Sequence, residues 1–243
     1  MKYSGMSSRE RYLLEEISLR SIKIITPLIT SGILGETIEN TYRILNRMVK
    51  KDLMIRLEKG KYIPISDQEE MDIYEVASHI IVPSYISFWS GMHIYGYTTQ
   101  VPTTVYVMTT VQKSPLNMMD CTVRFVKSSH FFGYEKIGEM VIAEKEKLFL
   151  DCLEFPHYSG GINEIMSAMK KADIDMDLMI DYARRMNVRS LNSRLGYLIE
   201  ALEIDGQIDE LEERISRVYI PLDPSSNKNG KKNKRWMILD DLG

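Results

Sequence analysis

In ETIENTYRILNRMVKKDLMIRLEKGKYIPI, residues 36–65, the apolar period changes partway along. Ile38, Tyr42, Leu45 and Val49 recur at the spacing of one helical face. The segment then closes on two lysines, where the negative end of a helix dipole favours cations. From Leu53 the apolar residues fall at a period of two on either side of EKG, the pattern of a hairpin with a glycine turn. The stretch therefore predicts a helix from Glu36 or Thr37 to about Asp52, followed by a short two-stranded ribbon.

Upstream, SSRERYLLEEI offers Ser7 or Ser8 as an N-cap ahead of acidic residues, and Tyr12, Leu13, Glu16 and Ile17 mark a first helix. Ile22, Ile25, Leu28 and Ile29 suggest a short second helix in which Pro27 is acceptable only near a start or break. Gly32 and Gly35 read as a turn. Three helices and a hairpin predict a winged helix-turn-helix over residues 1–66. With Ile38, Tyr42, Leu45 and Val49 turned inward, Asn40, Arg43, Arg47 and Lys50 form a second stripe. That stripe suits a major groove, because Asn pairs with adenine, Arg with guanine or phosphate, and Lys with the backbone. Thr37 and Thr41 complete the candidate set on this helix. Lys59 and Lys61, at the hairpin tip and its exit, are candidate wing contacts. The competing reading is a solvated basic face on a protein-interaction module, since Glu36 and Glu39 near the helix start would repel phosphates.

The formal charge of −3 is unevenly divided. Residues 1–65 carry twelve Lys and Arg against seven Asp and Glu, a balance of +5, which leaves −8 for residues 66–243. A basic front end on an acidic body fits a nucleic-acid module joined to a domain with another task. Cys121 and Cys152 form no CxxC pair and read as small buried residues. No two of His79, His93, His130 and His157 stand at i, i+4, so no metalloprotease helix is encoded. The start, MKYSGMSSRER, lacks the apolar core of a secretory signal and no run is long enough to span a bilayer, so cytoplasmic residence is expected.

The polar stretch SDQEE, residues 66–70, predicts the boundary to an α+β body over 67–243. Two helices separated at Pro83 are expected over 71–95, then a small sheet of four or five strands over about 104–143. Helices follow over about 144–215, the last divided near Gly206, and a terminal hairpin over about 217–239 pairs Val218–Leu222 with RWMIL. Asp173, Asp175 and Asp177 lack the glycine and glutamate of a calcium loop and read as helix-capping acids. The basic loop 227–235 is a candidate supplementary nucleic-acid contact. No phosphate-binding, dinucleotide-binding or nucleophile-elbow motif occurs, so neither cofactor nor metal is implied and the chain reads as a non-enzyme. A metal-dependent nuclease built on Glu144 and Glu146 is the remaining enzyme alternative.

YISFWSGMHIYGYTTQVPTTVYVMTT, EKEKLFLDCLEFPHYSGGINEI and RLGYLIEALE, in this order behind the hairpin, resemble the AbiEi-type antitoxin regulators of abortive-infection toxin–antitoxin systems. The residues carrying the resemblance are Tyr85, Ser87, Tyr95 and Gly96, then Lys147, Asp151, Pro156, Gly160 and Gly161, and finally Arg194, Leu195, Gly196, Tyr197 and Glu200. It implies a DNA reader that represses its own operon at inverted repeats; separately, because one recognition helix covers few base pairs, two chains per operator and a homodimer at least on DNA are expected. It also implies a second domain needed for antitoxicity and a nucleotidyltransferase-like toxin, opposed with or without a stable complex. Physically, Arg194 is suited to meet a carboxylate and Gly196 to permit close helix contact, so these positions read as fixing the C-terminal helices, with a toxin or RNA surface as the alternative.

Overall fold

The computed structural model describes residues 5–65, 72–118, 120–206, 208–225 and 230–240. Two compact units divide between Val82 and Pro83, so the first extends past the boundary expected at 66, which itself falls beside residues outside the described set.

In the first unit, α1 (Ser8–Leu19) opens with a reciprocal cap: the Glu10 amide donates to the Ser7 hydroxyl at 3.3 Å and the Ser7 amide donates to the Glu10 carboxylate at 2.7 Å. α2 (Pro27–Leu34) starts behind the Thr26 cap with Pro27 in its first turn, where a missing N–H costs nothing, and ends at Gly35 with φ of 66°. Gly32 is therefore helical and not part of a turn. Ile22 and Ile25 precede the helix, and Ile25 exchanges backbone hydrogen bonds of 2.8 and 2.9 Å with Tyr62. α3 (Ile38–Lys50) is capped by Thr37. β1 (Met54–Glu58) and β2 (Lys61–Pro64) form the expected antiparallel ribbon around Lys59 and Gly60, and α4 (Ile73–His79) follows. Leu13, Ile17, Ile25, Ile44, Leu45, Met48 and Tyr62 pack the core of this unit.

The second unit begins with β3 (Ser84–Ile86), α5 (Phe88–Ile94), β4 (Thr104–Thr109), β5 (Leu116–Met118), β6 (Cys121–Lys127), β7 (Tyr134–Ile137) and β8 (Met140–Ala143). It continues through α6 (Lys145–Glu154), α7 (Ile162–Met169), α8 (Met176–Met186), α9 (Arg189–Ala201) and α10 (Asp209–Glu212) to β9 (Ile220–Pro221), β10 (Lys231–Asn233) and β11 (Ile238–Asp240). Strands β5 to β8 and β3 make one six-stranded mixed sheet with β4, in the order β5-β6-β4-β3-β8-β7. Pro83 thus separates a helix from a strand and not from a second helix. β3 lies between an antiparallel β4 and a parallel β8 and is buried throughout, so it offers no alternation to read. The terminal element also differs from expectation. β10 and β11 form the hairpin, Arg235 and Trp236 sit in its turn, and β9 joins β11 in parallel.

α6 is buried on every face from Glu146 to Leu153 and forms the axis of this unit. Around it pack Tyr85, Met108, Val126, α7 to α9 and Trp236, with Met169, Met179 and Met186 filling the gaps. Cys152 is in this core, whereas Cys121 is only partly buried. Asp175 caps α8 by accepting the Leu178 amide at 3.0 Å, as its spacing predicted. Among the described residues, no helix is long and apolar enough to cross a membrane.

Candidate nucleic-acid interface

The inward face of α3 consists of Thr41, Ile44, Leu45 and Met48, one step around the helix from the stripe expected. Thr41 is fully buried and donates its hydroxyl to the Ile38 carbonyl at 2.7 Å, which removes it from the candidate contacts. Ile38 is exposed, while Tyr42 and Val49 are half-buried on a flank. Tyr42 turns toward the hairpin, its hydroxyl 3.4 Å from where a side chain at Gly60 would begin. Opposite the inward face, at helical spacing, stand Glu39, Arg43, Asn46 and Lys50, all exposed.

The ion pairs decide which basic groups are available. Arg47 and Lys51 donate at 2.7 and 2.8 Å to Glu10, whose side chain is fully buried. Burial raises the Glu10 carboxyl, but hydrogen bonds from Lys51, the Ser7 amide and Arg47 outweigh it and bring it to about 2. Arg47 is thus a clamp between α3 and α1. Asn40 donates to Glu36 at 2.6 Å, and Glu36 also pairs with Arg9. Lys61 donates to the Ile80 carbonyl at 2.7 Å and pairs with Glu58 at 3.0 Å, so it is tied down beside the ribbon. The Thr37 hydroxyl accepts the Asn40 amide as the helix cap.

What remains is compact. Arg43 pairs with Glu39 at 2.6 Å, but both side chains are more than 70% exposed, and such a pair contributes about 0–1 kcal/mol and yields readily to a phosphate. Lys50, Arg56 and Lys59 are exposed and form no ion pair among the described residues. Asn46 and Arg56 were not anticipated. Asn46 lies three residues from Arg43 and four from Lys50, a spacing that a correctly phased helix would have shown; its side-chain oxygen accepts the Tyr62 hydroxyl at 3.4 Å, so its amide nitrogen is the group it offers outward.

In the second unit the fold draws Tyr85, Ser87, Lys147 and Asp151 into one buried cluster and centres another on buried Arg194, while Gly96, Gly160 and Glu200, which also carried the resemblance, are exposed. Asp151 accepts the Ser87 hydroxyl at 2.8 Å and the Tyr85 hydroxyl at 3.2 Å, and pairs with Lys147, which also reaches the Tyr85 oxygen at 3.1 Å. Phe131 and Tyr134 flank Tyr85 with ring centres 5.0 and 5.3 Å away, and burial, reinforced by Asp151, raises the Tyr85 phenol well above its usual range. Tyr95 donates to the Ala143 carbonyl at 2.9 Å. In the second cluster, buried Arg194 meets carbonyls and not the expected carboxylate partner: Leu222 at 3.0 Å and Leu153 at 3.2 Å. Burial lowers its guanidinium to about 10 against the opposing charge of Asp223. Gly196 lies flat against the Trp236 ring, whose indole donates to Glu200. Gly161, with φ of 89°, lets Asp223 approach and accept the Ile162 amide at 3.2 Å, and Gly160 abuts Trp89. Tyr197 is half-buried beside Lys231 and Lys232.

Glu144 accepts the Tyr182 hydroxyl and Glu146 accepts the Asp175 amide at 2.9 Å, so the two carboxylates serve different helix contacts. Among the described residues, no three His, Cys, Asp or Glu side chains converge in an arrangement able to hold a metal ion. Part of the basic loop 227–235 lies outside the described residues; within it, Lys231 and Lys232 are exposed on β10 and Arg235 faces Glu200, Asp209 and Glu212.

No protein-family model and no curated protein matches the chain. Among solved structures, its fold is similar to that of the RV2827C protein from Mycobacterium tuberculosis, with a TM-score of 0.65 at 11% identity over 97% of this chain and 92% of that one.

Proposed function

We propose that the first unit is a winged helix-turn-helix that reads duplex DNA, and that the protein is a transcriptional regulator. The observation that carries this reading is the outward ridge of α3, where Arg43, Asn46 and Lys50 are exposed on an element followed directly by a hairpin whose tip presents Lys59. Arg43 and Asn46 supply base-edge chemistry, and Lys50, Arg56 and Lys59 supply phosphate contacts. The bridge from Ile25 to Tyr62 ties the hairpin to the segment between α1 and α2, which supports a wing held in fixed register with the helices.

The resemblance extends this to an autorepressing antitoxin that opposes a nucleotidyltransferase-like toxin, with the second unit serving antitoxicity. One helix covers few base pairs, while specific binding must exceed non-specific binding by about 10³ to 10⁷. Two chains on an inverted repeat supply that margin. Footprinting of the DNA upstream of its own gene tests the reading. Protection of two symmetric half-sites a whole number of helical turns apart is expected, and no protection at any concentration that also leaves random DNA unbound overturns it. A protein-interaction module is the second reading, favoured by Glu39 on the same ridge.

A further inference from the structure

The outer face of α1 takes no part in the candidate DNA surface. Leu13, Ile17 and Glu10 turn inward, which leaves Arg11, Tyr12, Glu15, Ser18 and Leu19 exposed, Leu19 at 80% and Tyr12 at 48%. Met6 and Leu14 join Arg11, Glu15, Ser18 and Leu19 around an open, largely apolar groove of about 640 Å³. An apolar strip of this kind on a helix is unusual for a surface that stays wet.

The charges on the strip indicate what covers it. Arg11 and Glu15 are one turn apart, yet neither forms an ion pair among the described residues. Their order, with the cation nearer the N-terminus, is the weaker one for pairing within a helix. The two charges are of opposite sign and placed symmetrically about residue 13. A helix with that arrangement is complementary to itself when a second copy lies antiparallel.

We propose that the protein self-associates through α1, two copies packing antiparallel about a two-fold axis at residue 13, so that Arg11 of each meets Glu15 of the other. With a rise of about 1.5 Å per residue, the same register brings Leu19 level with Ser7 of the second copy and within one residue of its Met6. The contact is isologous, closes at two copies and leaves no sticky face. Small Ser8 and Ser18 let the helices approach. One helix from each copy is a small interface, which gives a transient dimer and not an obligate one. The proposal stands independently of DNA reading, because it uses none of the residues of the α3 ridge or the hairpin tip.

Sedimentation equilibrium of the full chain at concentrations to about 100 μM tests it by mass action. A reversible dimer is expected. R11E and E15R should each weaken association about tenfold or more by setting like charges opposite one another, and R11E/E15R should restore it. L19E should also abolish the dimer, and circular dichroism of these exposed-site variants confirms that they remain folded. A wild-type chain that stays monomeric throughout overturns the proposal. So does a dimer indifferent to L19E, or one that the paired charge exchange fails to restore.

Discussion

Replacing Asp151 by alanine tests the buried network on α6. In the native protein the Asp151 carboxylate holds Ser87, Tyr85 and Lys147, and both charged side chains are fully buried. D151A leaves the Lys147 ammonium with the Tyr85 oxygen at 3.1 Å and the faces of Tyr85 and Phe132. Leaving one buried charge uncompensated costs about 3–5 kcal/mol, and stripping Ser87 of its acceptor adds roughly 1 kcal/mol. For a unit of this size, each kcal/mol moves the midpoint by about 2–4 °C, so a fall of roughly 8–24 °C is expected. The double variant K147M/D151L removes both charges and keeps apolar bulk. Its cost is confined to two hydroxyls without an acceptor, roughly 1–3 kcal/mol, so it should be more stable than D151A. Both tryptophans, Trp89 and Trp236, lie in the second unit, and their fluorescence during urea unfolding reports that unit alone. A D151A variant within about 1 kcal/mol of wild type, or a double variant less stable than the single one, would refute the reasoning.

Two other perturbations follow from the same geometry. G196A places a methyl group into the Trp236 ring and should cost about 1–3 kcal/mol or more through overpacking, with a shift in Trp emission as the ring is displaced. Glu10 ionises at about 2 in the folded chain against an ordinary 4.5; its stabilisation is complete above the ordinary value and is lost as pH falls toward 2. Circular dichroism unfolding between pH 5 and about 2 should therefore show the first unit weakening, and E10Q should be less stable at neutral pH but flatter across that range.

Most of the first unit was legible because its signals are local. Ser7 with Glu10 and the turn at Gly60 each fix an element boundary without help from tertiary structure, whereas the second helix was expected too early because Ile22 and Ile25, which precede it, share its apolar spacing. The phase of α3 was not legible from apolar residues alone. Tyr42 and Val49 pack on the flank beside the ribbon, while Thr41 enters the core because its hydroxyl bonds back to Ile38. Arg47 looked like its neighbour Arg43 in sequence, and only the fold reveals a buried carboxylate 37 residues upstream. β3 escaped notice because three wholly buried residues have no periodicity, whereas β9 was expected within Val218–Leu222 but pairs with β11 in parallel, and β10, read as part of the basic loop, makes the hairpin instead. The i, i+4 spacing of Lys147 and Asp151 was visible, yet their link to Tyr85 and Ser87 is a tertiary fact that only the resemblance singled out.

The central claim is that α3 and the hairpin tip bind duplex DNA, and the salt dependence of the affinity tests it most directly. Fluorescence anisotropy of the full chain on its own upstream DNA should give an affinity that falls steeply with salt. R43A/K50A/K59A, which leaves the Arg47–Glu10 clamp intact, should bind more weakly, with the logarithmic salt slope shallower by up to about 2.7, or about 0.9 for each phosphate contact removed. A folded triple variant with unchanged affinity and unchanged slope would contradict it.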